Sequence, residues 1–126
     1  MGRKTVLSIG QCRPDSAAIA HFFKAHFEVD VLTADLPDQA LAFIETNSLD
    51  LVLINRLLDA DSSDGLEILK QIRSHKTKNG IPVMLISNYP EWQQKAVAMG
   101  ASYGFGKAEL NLPETRARLA EVLEKQ

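Results

Sequence analysis

Cysteine is nearly absent from this chain. Cys12 is the only one in 126 residues, so no intramolecular disulfide can form and a reducing compartment is the expected setting. Excess charge is lacking too. The formal net charge is −2, and the most basic stretch, Ser74-His75-Lys76-Thr77-Lys78-Asn79-Gly80, is short enough to be a solvated loop. Nucleic acid is therefore not an expected partner. No apolar run approaches the ~20 residues that span a bilayer. The opening Met1-Gly2-Arg3-Lys4-Thr5-Val6 carries no apolar segment, and Val6 stands where a myristoylation signal needs Ser or Thr. No membrane contact is expected, and the expected location is cytoplasmic. Histidine is sparse: His21 and His26 fall on different faces of one predicted helix and His75 lies in the basic loop, so no metal-binding pair is formed.

What is present is an ordinary globular composition, 45% hydrophobic and 24% charged, at a length that suits one domain spanning 1–126. Short β-branched runs alternate with helical periodicities, the pattern of βαβ units around a parallel sheet. Strands are expected at Thr5 to Ile9, Val29 to Thr33, Leu51 to Ile54, Val83 to Ile86 and Tyr103 to Gly106. Helices are expected to start near Pro14, Pro37, Leu66, Pro90 and Asn111–Glu114. The unbroken apolar run Leu51-Val52-Leu53-Ile54 predicts a central strand covered on both faces. Asp64-Gly65-Leu66-Glu67 reads as a capping box, with Asp64 accepting from backbone N–H groups and Glu67 reaching back; Asn111 and Glu114 read as a second cap pair. The fold class is α/β, a doubly wound five-stranded parallel sheet in a three-layer sandwich.

In such a sheet the chemistry sits beyond the carboxyl ends of the strands. The positions to inspect are Gly10, Gln11 and Cys12, then Asn55, then Ser87 and Asn88, then Lys107. Together with the Leu49 to Ile54 strand, the Asp64-Gly65-Leu66-Glu67-Ile68-Leu69 helix start, Pro82-Val83-Met84-Leu85-Ile86-Ser87 and Gly100-Ala101, they resemble the receiver domain of bacterial response regulators. The resemblance covers the whole chain and implies a (βα)5, flavodoxin-like or CheY-like fold in two-component signal transduction. Receivers take a phosphoryl group from a histidine kinase onto an aspartate after strand three. They use Mg²⁺ held by an acidic pair after strand one, with a hydroxyl and a lysine contacting the phosphoryl oxygens.

Here the hydroxyl and lysine positions match Ser87 and Lys107, but the phosphoacceptor position holds Asn55 and the acidic pair falls on Gly10 and Gln11. A neutral carboxamide with a delocalised lone pair cannot form an acyl phosphate. Mg²⁺, a hard cation, loses the carboxylate oxygens it prefers. The loop from Asn55 to Asp64 is a residue or two longer than in receivers, and the segment from Ser87 to Gly100 is correspondingly shorter. Ala108 replaces the proline that follows the receiver lysine, so the cis peptide implied by the family is disfavoured by roughly 3 kcal/mol. The position of the switching aromatic holds Gly104, between Tyr103 and Phe105.

Other motifs resolve to plainer readings. Asp59, Asp61 and Asp64 lack the glycine and glutamate placement of a calcium loop. Gly104-Phe105-Gly106-Lys107 lacks Walker spacing and reads as a tight strand end. Tyr89, Trp92, Tyr103 and Phe105 are candidates for an aromatic contact surface. The expectation is a non-enzymatic, phosphorylation-independent pseudo-receiver with no cofactor and no metal. It would bind a protein partner or a second copy through the fourth helix, fifth strand and fifth helix. The alternative is a small-anion or nucleotide sensor using the residual pocket at Ser87 and Lys107.

Overall fold

Alternation of side chains across a strand decides the layers. In the third strand Val52 and Ile54 face one way while Leu51 and Leu53 face the other, and all four are buried. Such a strand needs helices on both sides. The structure, a computed structural model, describes residues 3–124. It provides strands β1 (Lys4–Ile9), β2 (Val29–Ala34), β3 (Leu51–Asn55), β4 (Val83–Ile86) and β5 (Ser102–Phe105). The helices are α1 (Arg13–His26), α2 (Pro37–Thr46), α3 (Gly65–Arg73), α4 (Pro90–Ala98) and α5 (Pro113–Glu124), with a 3-10 turn at Lys107–Glu109.

The sheet is parallel in the order β2-β1-β3-β4-β5, so strand order reverses between β1 and β3 and their carboxyl ends meet at the centre. One apolar layer joins Ile19, Phe22 and Phe23 of α1 to Leu119 and Leu123 of α5 over Val6, Leu53, Met84 and Phe105. The other joins Ala40 and Ile44 of α2, Leu66, Ile68, Leu69 and Ile72 of α3, and Ala96 of α4 over Leu7, Val52, Ile54 and Leu85. Each buried Val, Leu, Ile, Phe or Met side chain contributes roughly 1.5–3 kcal/mol, the alanines less. Among the described residues no helix is long and apolar enough to cross a membrane.

Two caps differ from expectation. Asp64 does accept from the Leu66 N–H at 2.9 Å, but Glu67 does not reach back; the Asp64 carboxylate instead also takes the Arg56 guanidinium at 3.0 Å. At α5, Asn111 does not cap. Pro113 fixes the first turn, Leu112 O accepts from Thr115 and Arg116, and the Thr115 hydroxyl donates to Glu109 O at 2.7 Å.

The β4–β5 pairing is irregular in a way that matters for function. Met84 stands opposite Ser102 and Ile86 opposite Phe105, so β5 carries one extra residue, a bulge at Tyr103 and Gly104. A buried glutamine of α4 repairs the ladder there. Gln93 Nε2 donates to Leu85 O at 2.9 Å and Ser87 O at 3.1 Å, and its Oε1 accepts from the Gly104 N–H at 2.9 Å.

Candidate functional site

The ends of β1, β3, β4 and β5 bring Gly10, Asn55, Ser87 and Lys107 to one edge of the sheet, as the sequence predicts. What stands between them does not follow from the sequence. The long β3–α3 loop closes on itself: Leu58 N–H donates to Ser63 O, Ser62 N–H to Leu58 O, and Leu57 bridges to Asp64. Ser62 takes the one positive-φ conformation of a non-glycine residue among the described residues. That fold-back turns Leu58 inward, where it is 1% exposed, and leaves Leu57 at 51%.

Leu58 lands on Gly10. The glycine has φ +77°, and a Cβ built there would lie 2.4 Å from Leu58 Cγ. Only glycine suits both the backbone and the space. Its carbonyl is held twice, by the Asp59 N–H at 2.9 Å and by Asn55 Nδ2 at 3.0 Å. This second bond gives Asn55 a physical reason. A carboxamide donates to the Gly10 carbonyl, whereas a carboxylate there would face it acceptor to acceptor. Gln11 is buried, donating through Nε2 to Ile9 O at 3.2 Å, and its Oε1 has no partner among the described residues.

The Mg²⁺ that the family resemblance implies does not fit these residues. The side-chain oxygens at the acidic-pair and acceptor positions are the neutral amides of Gln11 and Asn55, and an apolar side chain stands over Gly10. Among the described residues no three of His, Cys, Asp and Glu stand together as a ligand set.

Lys107 is not joined to Asn55. Its Nζ lies 2.7 Å from Asp15 Oδ2 in the first turn of α1, and the same oxygen accepts from Cys12 Sγ at 3.0 Å. The hydrogen bond from Lys107, and secondarily that from Cys12, holds the Asp15 carboxyl below its ordinary pKa. The pair's contribution is therefore present at neutral pH and is lost only as pH falls through that depressed value. The Ser87 hydroxyl oxygen accepts from the Tyr89 N–H at 3.2 Å, and Asn88 Oδ1 accepts from the Ala108 N–H at 3.3 Å. No cis peptide occurs among the described residues, so the Lys107–Ala108 bond is trans.

Between these groups opens a cleft of about 560 Å³, lined among others by Asn55, Arg56, Ser87, Tyr89, Trp92 and Lys107. Arg56 shapes its wall. The guanidinium carbon lies 3.7 Å from the Trp92 ring centroid while NH1 bonds Asp64, so one cation joins the β3 end to α3 and α4. Arg56, Asp15, Leu58 and Gln93 are the site residues that sequence reasoning did not single out. Only Arg56, next to Asn55, had a positional signal.

The four aromatics divide. Tyr89, 64% exposed, and the half-buried Trp92 belong to the cleft. Tyr103 is 43% exposed, with the Arg118 guanidinium 5.1 Å from its ring centroid. Phe105 is a correction: at 1% exposure it is core beneath α1 and α5, two residues nearer the covered end of β5 than Tyr103, and cannot meet a partner.

Comparison with known proteins agrees with this geometry. No curated protein sequence matches the chain. Among solved structures, the receiver domain of a DNA-binding response regulator from Colwellia psychrerythraea superposes with a TM-score of 0.82 at 22% identity, covering 96% of this chain and 98% of that one. The chemotaxis response regulator CheY4 of Vibrio cholerae gives 0.72 at 20% identity, covering 98% of each. A Francisella response regulator receiver domain gives 0.73 at 25% identity, again covering 98% of each. The profile of the response regulator receiver domain matches residues 14–119, beginning after the β1 end where Gly10 and Gln11 stand; the chain belongs to that family.

Proposed function

We infer that this chain is a pseudo-receiver, a non-catalytic protein-interaction module of two-component-type regulation, working in the cytoplasm without phosphorylation. The observation that carries the reading is the Asn55 amide donating to the Gly10 carbonyl, with Leu58 packed over that glycine. The nucleophile and the space for its metal are lost together. The test is incubation with Mg²⁺ and acetyl phosphate followed by intact mass measurement. The expected result is an unmodified chain; a phospho-adduct overturns the reading.

The face proposed for partners is formed by α4, β5 and α5. It carries exposed Val97 and Tyr103 beside a hollow of about 380 Å³ that Pro82, Tyr103, Arg118 and Val122 line. The occupant is a protein partner or a second copy. Tyr103 is 43% exposed and belongs to neither buried cluster, so Tyr103→Ala should cost no more than about 1 kcal/mol, the scale of its exposed contact with Arg118. If the chain dimerises through this face, sedimentation velocity should show the Tyr103→Ala dimer weakened about tenfold or more, as for an interfacial aromatic anchor. A dimer that survives unchanged moves the contact elsewhere.

A second reading rests on the cleft itself. Ser87, Asn88, Arg56 and Lys107 converge on about 560 Å³, a setting suited to a small anion or a nucleotide phosphate. Thermal shift distinguishes it, since a ligand at one hundred times its Kd adds about 2.7 kcal/mol.

A further inference from the structure

The cleft has two cations on its walls, and both are already engaged. Arg56 is bonded to Asp64 and stacked on Trp92. Lys107 is the more available: its side chain is 38% exposed, it lines the cleft, and among the described residues its ion pair is with Asp15 at 2.7 Å. Asp15 itself does not line the cleft. It meets Lys107 where α1 approaches the turn after β5, over a separate small hollow of about 40 Å³ that both residues line. The neighbouring polar groups are positioned as donors. The Ser87 oxygen already accepts the Tyr89 N–H, so its hydroxyl hydrogen is available to donate, and the Asn88 amide nitrogen has no partner among the described residues.

We propose that Asp15 is an internal competitor for this cleft: its carboxylate holds the Lys107 ammonium away from any incoming anion, and the cleft accepts an oxyanion only when the lysine is surrendered. This rests on the reading of the cleft as an anion site and adds its regulation. The class of ligand follows from the competition. A monocarboxylate offers Lys107 no more charge than Asp15 does and must also be brought in from solution, whereas a phosphate-type dianion brings a second charge and further acceptors for Ser87 and Asn88. Because Asp15 lies on α1 and Lys107 at the β5–α5 junction, release of the pair removes one polar tie between them while the apolar packing of Ile19, Phe22 and Phe23 against Leu110, Leu119 and Leu123 remains.

The experiment is titration of inorganic phosphate into the parent chain, Asp15→Asn and Asp15→Asn with Lys107→Met, following the amide resonances of Ser87, Asn88 and Ala108. Asn keeps the shape of Asp15 and an oxygen for the Cys12 thiol. The expected result is phosphate binding at least about tenfold tighter in Asp15→Asn than in the parent, a change of ~1.4 kcal/mol, and its loss in the double variant. Equal affinity in the parent and Asp15→Asn overturns the competition while leaving the anion cleft standing. Absence of binding in both overturns the cleft reading and the proposal with it. A separate measurement keeps the ion pair itself open to refutation. In Lys107→Gln the Asp15 carboxyl should titrate higher than in the parent by carbon-detected NMR, and an unmoved titration shows that the pair does not form.

Discussion

Gly104→Tyr, which places an aromatic at the family's switching position, should destabilise the chain by about 3 kcal/mol or more, and Gly104→Ala should suffice to show it. A Cβ at residue 104 would stand 2.1 Å from Leu85 O and 3.1 Å from Gln93 Oε1. The first of these is main chain in the centre of a paired strand, so nothing flexible can move aside. Any relief must undo the bulge, and with it the Gln93 bonds to Leu85, Ser87 and Gly104. Gly80 is the control, because nothing lies within 4 Å of its Cβ position; Gly80→Ala should be neutral or slightly stabilising through the unfolded chain. Denaturant midpoints decide it. A Gly104→Ala variant within ~0.5 kcal/mol of the parent would mean that β5 does not bulge as described. The consequence for signalling is direct: a rotating aromatic has no room here, and α4 is stapled to β4 and β5 by a buried side chain instead.

Periodicity alone disclosed the layers, because a strand covered on both faces must read as a continuous apolar run and Leu51-Val52-Leu53-Ile54 does. The carboxyl-end rule then put Gly10, Asn55, Ser87 and Lys107 at one edge, where they are found. The partners of those residues were hidden for a different reason. Asp15 and Lys107 meet only through tertiary packing of α1 against the end of β5, and no local pattern marks such a pair. Leu58 looked like any apolar loop residue until the extra length of its loop proved to fold it inward. Phe105 and Tyr103 have similar chemistry in the same strand, yet only the helix cover above each decides which is core. A bulge, being one residue in excess, leaves no periodic trace in a strand as short as Ser102–Phe105.

Restoring the family's acidic residues should not restore the family's metal response. In the triple variant Gly10→Asp, Gln11→Asp and Asn55→Asp, the first change forces a side chain onto φ +77° and into Leu58 Cγ at 2.4 Å. The third exchanges a donated hydrogen bond to Gly10 O for two facing acceptors. Carboxylates about 4 Å apart add a repulsion of roughly 4 kcal/mol at an effective dielectric of 20. Together these should cost the metal-free fold at least about 4 kcal/mol, enough to threaten a domain of ordinary stability. Mg²⁺ would ordinarily offset such repulsion, but Leu58 and the Asp59 N–H bond to Gly10 O keep the loop closed over the position. The triple variant should therefore melt at nearly the same temperature with and without Mg²⁺. Adding Leu58→Ala removes the 2.4 Å contact and leaves only the 3.0 Å approaches of the residue 58 Cα and Cβ, so of the two variants only the quadruple should gain stability from the metal. If the triple variant with Leu58 intact is already rescued by Mg²⁺, the loop opens readily and the packing of Leu58 is not what keeps the metal out. The expected pattern would instead trace the proposed loss of phosphoryl chemistry to a repacking of the β3–α3 loop, beyond the reach of substitutions confined to the acidic positions.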